Sequence, residues 1–249
     1  MNITPTVKQL LIINILFFIG SQIVGEQAYN LLSLYYFENS KFQFWQPITH
    51  MFMHGGVSHI LFNMFALYSF GSTLEHYWGS KKFLFFYFSC GIGAFLMHTG
   101  VSYYYFHHGL NILTESGFSK TEIFDVLNQS KIDTRWVEYL GQSGLDNFTN
   151  SFVIPTVGAS GAIYGLLVAF TFMFPNAELS LMFIPIPVKA KYFVPVFMLL
   201  YDGFFGILGN SFLGMQSGVA HFAHLGGALI GFLMMWYWKK NQFSKNRWN

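Results

Sequence analysis

A serine stands between two glycines in the stretch VGASGAIYG, Val157–Gly165, and a tyrosine, Tyr164, follows it one helical turn later. His59, Asn63, Glu75, Asp202, His221 and His224 are the other polar side chains set into apolar runs. A hydroxyl beside an imidazole is a nucleophile with its general base, and nearby N–H donors hold the charge that develops on a carbonyl oxygen under attack. Ser160 supplies the hydroxyl, and either His221 or His224 supplies the base. Each residue also has a plainer use. A serine in an apolar helix back-bonds to its own carbonyls or packs at a small-residue contact. The pairs Gly161/Gly165 and Gly227/Gly231 are G-x-x-x-G spacings, which first of all let helices approach closely. What decides between chemistry and packing is whether the polar residues meet.

The chain that must bring them together has 249 residues, 53% of them hydrophobic and 20% aromatic, with only 10% charged. Soluble domains carry about 25% charged residues, so this composition belongs to an integral membrane protein. One domain, residues 1–249, accounts for the length as an all-α bundle of six transmembrane helices. The spans fall at about residues 7–24, 58–77, 83–105, 157–174, 192–208 and 218–238. An aromatic outer loop, 25–57, joins the first two and reads as lying partly in the membrane interface. A polar outer insertion, 106–152, joins the third and fourth. Within it, residues 123–127 and 136–140 read as short helices on the outer face. A tail, 239–249, follows the last span. The single cysteine, Cys90, sits in an apolar run and reads as a buried packing residue. A net charge of +2 gives no reason to expect nucleic acid.

Lysine and arginine set the orientation. With the N-terminus inside, Lys8, Lys81, Lys82, Lys189, Lys191, Lys239, Lys240, Lys245 and Arg247 face the cytoplasm. Lys41, Lys120, Lys131 and Arg135 face outward, in the two longest loops. Both termini are therefore expected in the cytoplasm, with a bacterial inner membrane as the natural setting. In this topology His59 and Asn63 enter span two from outside, Ser160 enters span four from outside, and His221 and His224 enter span six from outside. Each lies roughly 5–10 Å below the outer edge at 1.5 Å per residue. Glu75 and His76 fall near the opposite face and leave the candidate site.

The set H(59)ILFN(63), G(158)ASG(161) and A(223)HLGG(227), in that order on spans two, four and six, resembles the rhomboid intramembrane serine proteases. The resemblance covers roughly residues 40–235. It implies a Ser–His dyad without a carboxylate: Ser160 as nucleophile and His224, the histidine of the A-H-L-G-G match, as base. His59, Asn63 and the Ser160 N–H would form the oxyanion hole, and Tyr164 would stack beside the base. Gly158, Gly161, Gly165, Gly227 and Gly231 would serve helix packing, bringing span six against span four. The resemblance further implies transmembrane-protein substrates, a lipid bilayer as the medium, and neither cofactor nor metal. Cleavage would favour a small residue before the scissile bond and helix-breaking residues after it. The outer loop and fifth span would act as cap and gate.

Two features depart from the family's pattern. Gln46 follows Trp45 where many relatives carry Trp-Arg, and the 106–152 insertion is longer than a minimal core needs, which reads as surface decoration. Two other functions fit less well. A non-catalytic rhomboid-like binder of membrane proteins would ordinarily have lost the serine or a histidine. A metal-dependent hydrolase built on His50, His54, His59, His221 and His224 lacks an H-E-x-x-H, and no carboxylate is expected at that depth. A transporter would need charges along a full-depth pathway, and Asp202 reads as a helix-end or bundle hydrogen bond.

Overall fold

The computed structural model describes residues 2–181, 184–198, 200, 202 and 220–242. The fold is mostly helical. Helix α1 (Pro5–Val24) starts on a proline, which suits a first helical turn because no amide donor is lost there, and it ends at Gly25 with φ +74°. Its N-terminus is held by the Glu75 carboxylate, which accepts from the Thr6 and Val7 amides at 3.0 and 2.9 Å and from the Thr4 hydroxyl. Ser80 donates to the same carboxylate at 2.7 Å. Glu75, set aside from the site, is therefore a capping group for α1 and a joint to the start of the third predicted span.

The outer loop holds α2 (Glu26–Leu32), α3 (Gln46–Thr49) and one 3₁₀ turn, His50–Phe52. Gln46 is fully buried and pins it. Its Nε2 donates to the Lys41 carbonyl at 3.0 Å, and its Oε1 accepts from the Tyr35 amide at 3.2 Å. Where the family pattern has a cation, this chain has an uncharged amide that satisfies backbone groups on both sides of the loop. The loop is stitched to the segment before Ser160. Leu34 bridges to Thr156, and Asn39 Nδ2 donates to the Phe152 carbonyl at 2.8 Å.

The second predicted span is α4 (Val57–Ala66), a π turn at Leu67–Gly71 and α5 (Ser72–Trp78), in unbroken succession. The third, α6 (Ser80–Glu115), runs 36 residues, ten past the expected end. Its last ten residues belong to the insertion, where α7 (Lys120–Asn128) and α8 (Trp136–Val153) pack on it. Gly141, with φ +66°, kinks α8 after its first turn and a half. Trp136, Phe148, Phe152 and Phe106 are fully buried there, around a second core separate from that of the bundle. The insertion is longer-helixed and better packed than two short surface helices.

Helix α9 (Ser160–Met173) leads into a short antiparallel hairpin, β1 (Glu178–Leu181) and β2 (Ile184–Lys189), pairing Glu178 with Lys189. The all-α expectation missed this hairpin. Its prolines at 185 and 187 left no alternation to read. Then come α10 (Ala190–Met198), with Pro195 inside it, and α11 (Ala220–Gln242). Most of the predicted fifth span beyond residue 198, the first two residues of the sixth, and the tail beyond 242 lie outside the described residues. Helices α1 and α6 are each long and apolar enough to cross a membrane, and α9 is a shorter apolar helix.

Candidate active site

Helix α9 begins at Ser160 because the preceding backbone cannot continue the helix. Gly158 has φ +127°, a region L side chains rarely enter, and its N–H donates to the His50 carbonyl at 2.9 Å. A Cβ at Gly158 would also lie 2.8 Å from His59 Nε2. Gly158 was expected to pack helices. It lies before the helix instead, where it turns the chain and lets His59 come close to the start of α9. Ser160 is thus a first-turn residue, whose N–H has no partner within the helix and lies at the positive end of the helix dipole.

Contact between α9 and α11 is backbone on backbone. A Cβ on Gly227 would overlap the Gly161 carbonyl, and one on Gly231 would lie 2.8 Å from the Gly165 Cα. On the other side of α9, side chains at Gly161 and Gly165 would strike Ala94 and Cys90 of α6. Cys90 is fully buried and fills that gap. This approach brings His224 Nε2 to 2.8 Å from Ser160 Oγ. The Tyr164 ring stacks on His224, with centroids 4.3 Å apart and planes 13° from parallel.

His59 lies against Gly158, and the Gly55 N–H points at its Nδ1 at 3.4 Å. Asn63, one turn further on α4, is buried, and its Nδ2 has no hydrogen-bond partner among the described residues. An unused buried amide donor is costly unless something else engages it. His221 is tied to Asp202. Its Nδ1 lies 2.7 Å from Asp202 Oδ1, and His224 Nδ1 lies 2.8 Å from the same oxygen. Asp202 is fully buried.

This corrects two expectations. The imidazole is not left without a carboxylate, and a carboxylate does join two histidines at this depth. The signal was present, since a lone aspartate in an apolar run almost always has a partner. Distance along the chain hid which one: 22 residues separate Asp202 from His224. Asp202, His221 and His224 offer ligand atoms within 4.8 Å of one another, a set that could hold a cation. Of the other histidines once weighed as ligands, His50 bonds the Gln46 carbonyl at 2.8 Å, and His54 packs edge-on to His59 at 5.1 Å.

The model of the rhomboid domain matches residues 41–241. The chain belongs to the rhomboid family. It is similar to the protein named Rhomboid protein 1, mitochondrial, of Saccharomyces cerevisiae, with 26% identity over 192 residues. That alignment covers 76% of this chain and 40% of the relative's length. Rhomboid proteins are integral membrane proteins, and the family generally consists of intramembrane serine proteases. The similar protein is mitochondrial, so the expected bacterial inner membrane gains no support from it.

Proposed function

We propose that this rhomboid protein is a serine endopeptidase that cleaves transmembrane segments of membrane proteins near the outer face of the bilayer. The observation that carries the reading is the 2.8 Å contact between Ser160 Oγ and His224 Nε2, with Tyr164 stacked on the imidazole. A serine used only for packing needs no imidazole nitrogen at hydrogen-bond distance, whereas a nucleophile needs its base there.

In the proposed reaction a substrate helix enters between helices and unwinds, exposing a carbonyl carbon to Ser160 Oγ. His224 takes the hydroxyl proton as the C–O bond forms. The oxyanion is held by the Ser160 N–H, the Asn63 amide and His59. His224 then returns the proton to the departing amine as the C–N bond breaks. Water, activated by the same imidazole, hydrolyses the acyl-enzyme and frees Ser160. Six spans with both termini on the inner side complete the proposal. Helix α9 is only about 21 Å long at 1.5 Å per residue, so its outer end falls short of the ~30 Å apolar slab. The non-helical residues 154–159 above it then lie at membrane depth, which is tolerated where backbone lines a wet cavity.

The test is cleavage of a single-span reporter with a helix-destabilised segment by the full chain in liposomes. Ser160→Ala and His224→Ala each abolish cleavage, and His221→Ala spares most of it. Cleavage retained in Ser160→Ala excludes the mechanism. Binding of the reporter without cleavage by the unaltered chain would make it a non-catalytic binder.

A further inference from the structure

Asp202 follows the end of α10 by four residues, so it comes from neither the helix of the serine nor that of the histidines. It is fully buried, and its Oδ1 lies 2.8 Å from His224 Nδ1 and 2.7 Å from His221 Nδ1. A carboxylate oxygen only accepts, so both imidazoles must present N–H at Nδ1. For His224 this has a consequence at the other ring nitrogen. With the proton on Nδ1, Nε2 carries a lone pair, and that is the atom 2.8 Å from Ser160 Oγ.

We infer that Asp202 is a positioning residue for this site, completing a Ser160–His224–Asp202 relay to which His221 adds a secondary hydrogen bond. The inference rests on the protease reading above. Asp202 fixes the tautomer and the ring direction of His224, as the buried aspartate does in soluble serine proteases. It also supplies the counter-charge when His224 takes the serine proton, and it stays unprotonated throughout. His221, donating to the same oxygen, reinforces a carboxylate direction that the His224 hydrogen bond already sets, so His221→Ala costs little where Asp202→Asn costs much. The serine, the histidines and the aspartate thus come from three separate segments, and the base is correctly set only when all three are docked. Stacking by Tyr164 limits the tilt of the imidazole but does not choose its tautomer. The hydrogen bond to Asp202 does.

The experiment uses the full chain in liposomes and the reporter described above, with rates normalised to monodisperse folded protein. Wild type and Ser160→Ala form the first arm. Loss of cleavage in Ser160→Ala supports the protease reading, and retained cleavage removes it whatever Asp202 does. In the second arm Asp202→Asn lowers kcat by roughly 10²–10⁴-fold, the scale of the corresponding change in a soluble protease. KM stays within about two-fold, because no ground-state contact to substrate is lost. Should Asp202→Asn fail to fold, Asp202→Leu removes the buried charge together with the need to satisfy it, and the same fall in kcat is expected. Wild-type kcat in whichever of the two variants folds, or a rise in KM at constant kcat, overturns the inference. Full activity after prolonged chelation in both the wild type and the assay buffer supports it over a resident cation on the same three residues. Activity lost on chelation and restored by Zn²⁺ overturns it.

Discussion

Two helix contacts in this molecule work by opposite means. Where α9 meets α11, glycines face glycines, and the helices touch through main-chain atoms with no side chains between them. Where α8 meets α6 in the outer insertion, aromatic rings fill the interface. Phe106 stacks on Phe148 at 5.3 Å and on Phe152 at 4.9 Å, and Gly109 makes room for the Phe148 ring. In lipid there is no hydrophobic drive between apolar helices, so close backbone packing must supply the attraction. The insertion uses large buried aromatics, as a water-facing domain does. The first contact brings His224 Nε2 to 2.8 Å from Ser160 Oγ. The second sets only where a layer lies.

The sharpest way to break the comparison is to add atoms at the first contact. Gly227→Val would drive two methyls into the Gly161 backbone, which cannot yield without moving a helix. The expected result is complete loss of cleavage together with loss of folded protein, seen as a collapsed thermal melt. An active, stable Gly227→Val protein would mean that the helices are not seated as described.

Asn63→Ala separates chemistry from packing. If its unpartnered Nδ2 serves the oxyanion, kcat falls by roughly 10–1000-fold, the scale seen when a single oxyanion donor is removed. The melting temperature holds or rises, because a buried unpaired donor has gone. A fall in stability with unchanged kcat would assign Asn63 to structure instead.

Much of this was legible in the sequence, because small residues at four-residue spacing and polar residues in apolar runs are costly enough to be informative alone. The predicted spans set Ser160, His59, Asn63, His221 and His224 at one depth, and the resemblance, not depth, chose His224 over His221. Three things were not legible. The tie from Asp202 to His224 depends on how a short, proline-bearing segment docks, and no periodicity records that. The role of Gly158 is a backbone angle, invisible beside four glycines that do pack helices. The outer core is built from Phe106 on α6 and Trp136, Phe148 and Phe152 on the kinked α8, so their convergence is tertiary. Gln46 shows the same limit in miniature. Judged against a family pattern it was a missing cation, but its environment consists of backbone groups that an amide satisfies.

A cut at the second contact should cost stability and leave chemistry alone. Phe148→Ala empties a fully buried site between α6 and α8, and removals of this kind cost about 3–5 kcal/mol. The kcat of the remaining folded protein should stay within about two-fold, since nothing in that core touches Ser160 or His224. KM is the informative parameter. An unchanged KM agrees with an outer layer that only covers the bundle. A raised KM would show that the layer receives substrate before the active site does.

The smallest effect probes the segment that joins the two regions. His50 and His54 lie in the outer loop, outside the predicted spans, and burial holds each imidazole well below its ordinary range, at about 4. The folded state therefore binds fewer protons than the unfolded one between about pH 6.5 and 4. Their contribution to stability is complete above pH 6.5 and is lost as pH falls towards 4. The His50 carbonyl receives the Gly158 N–H, so loosening this segment should release the turn that starts α9. Melting temperature measured from pH 7 to pH 4.5 should fall, and His54→Gln, which carries no titrating ring, should flatten that slope. An unchanged slope in His54→Gln would place the acid sensitivity elsewhere. If the slope flattens and cleavage recovers in parallel at low pH, the joint between the outer layer and the helix contact, rather than either region alone, sets the acid limit of the active protein.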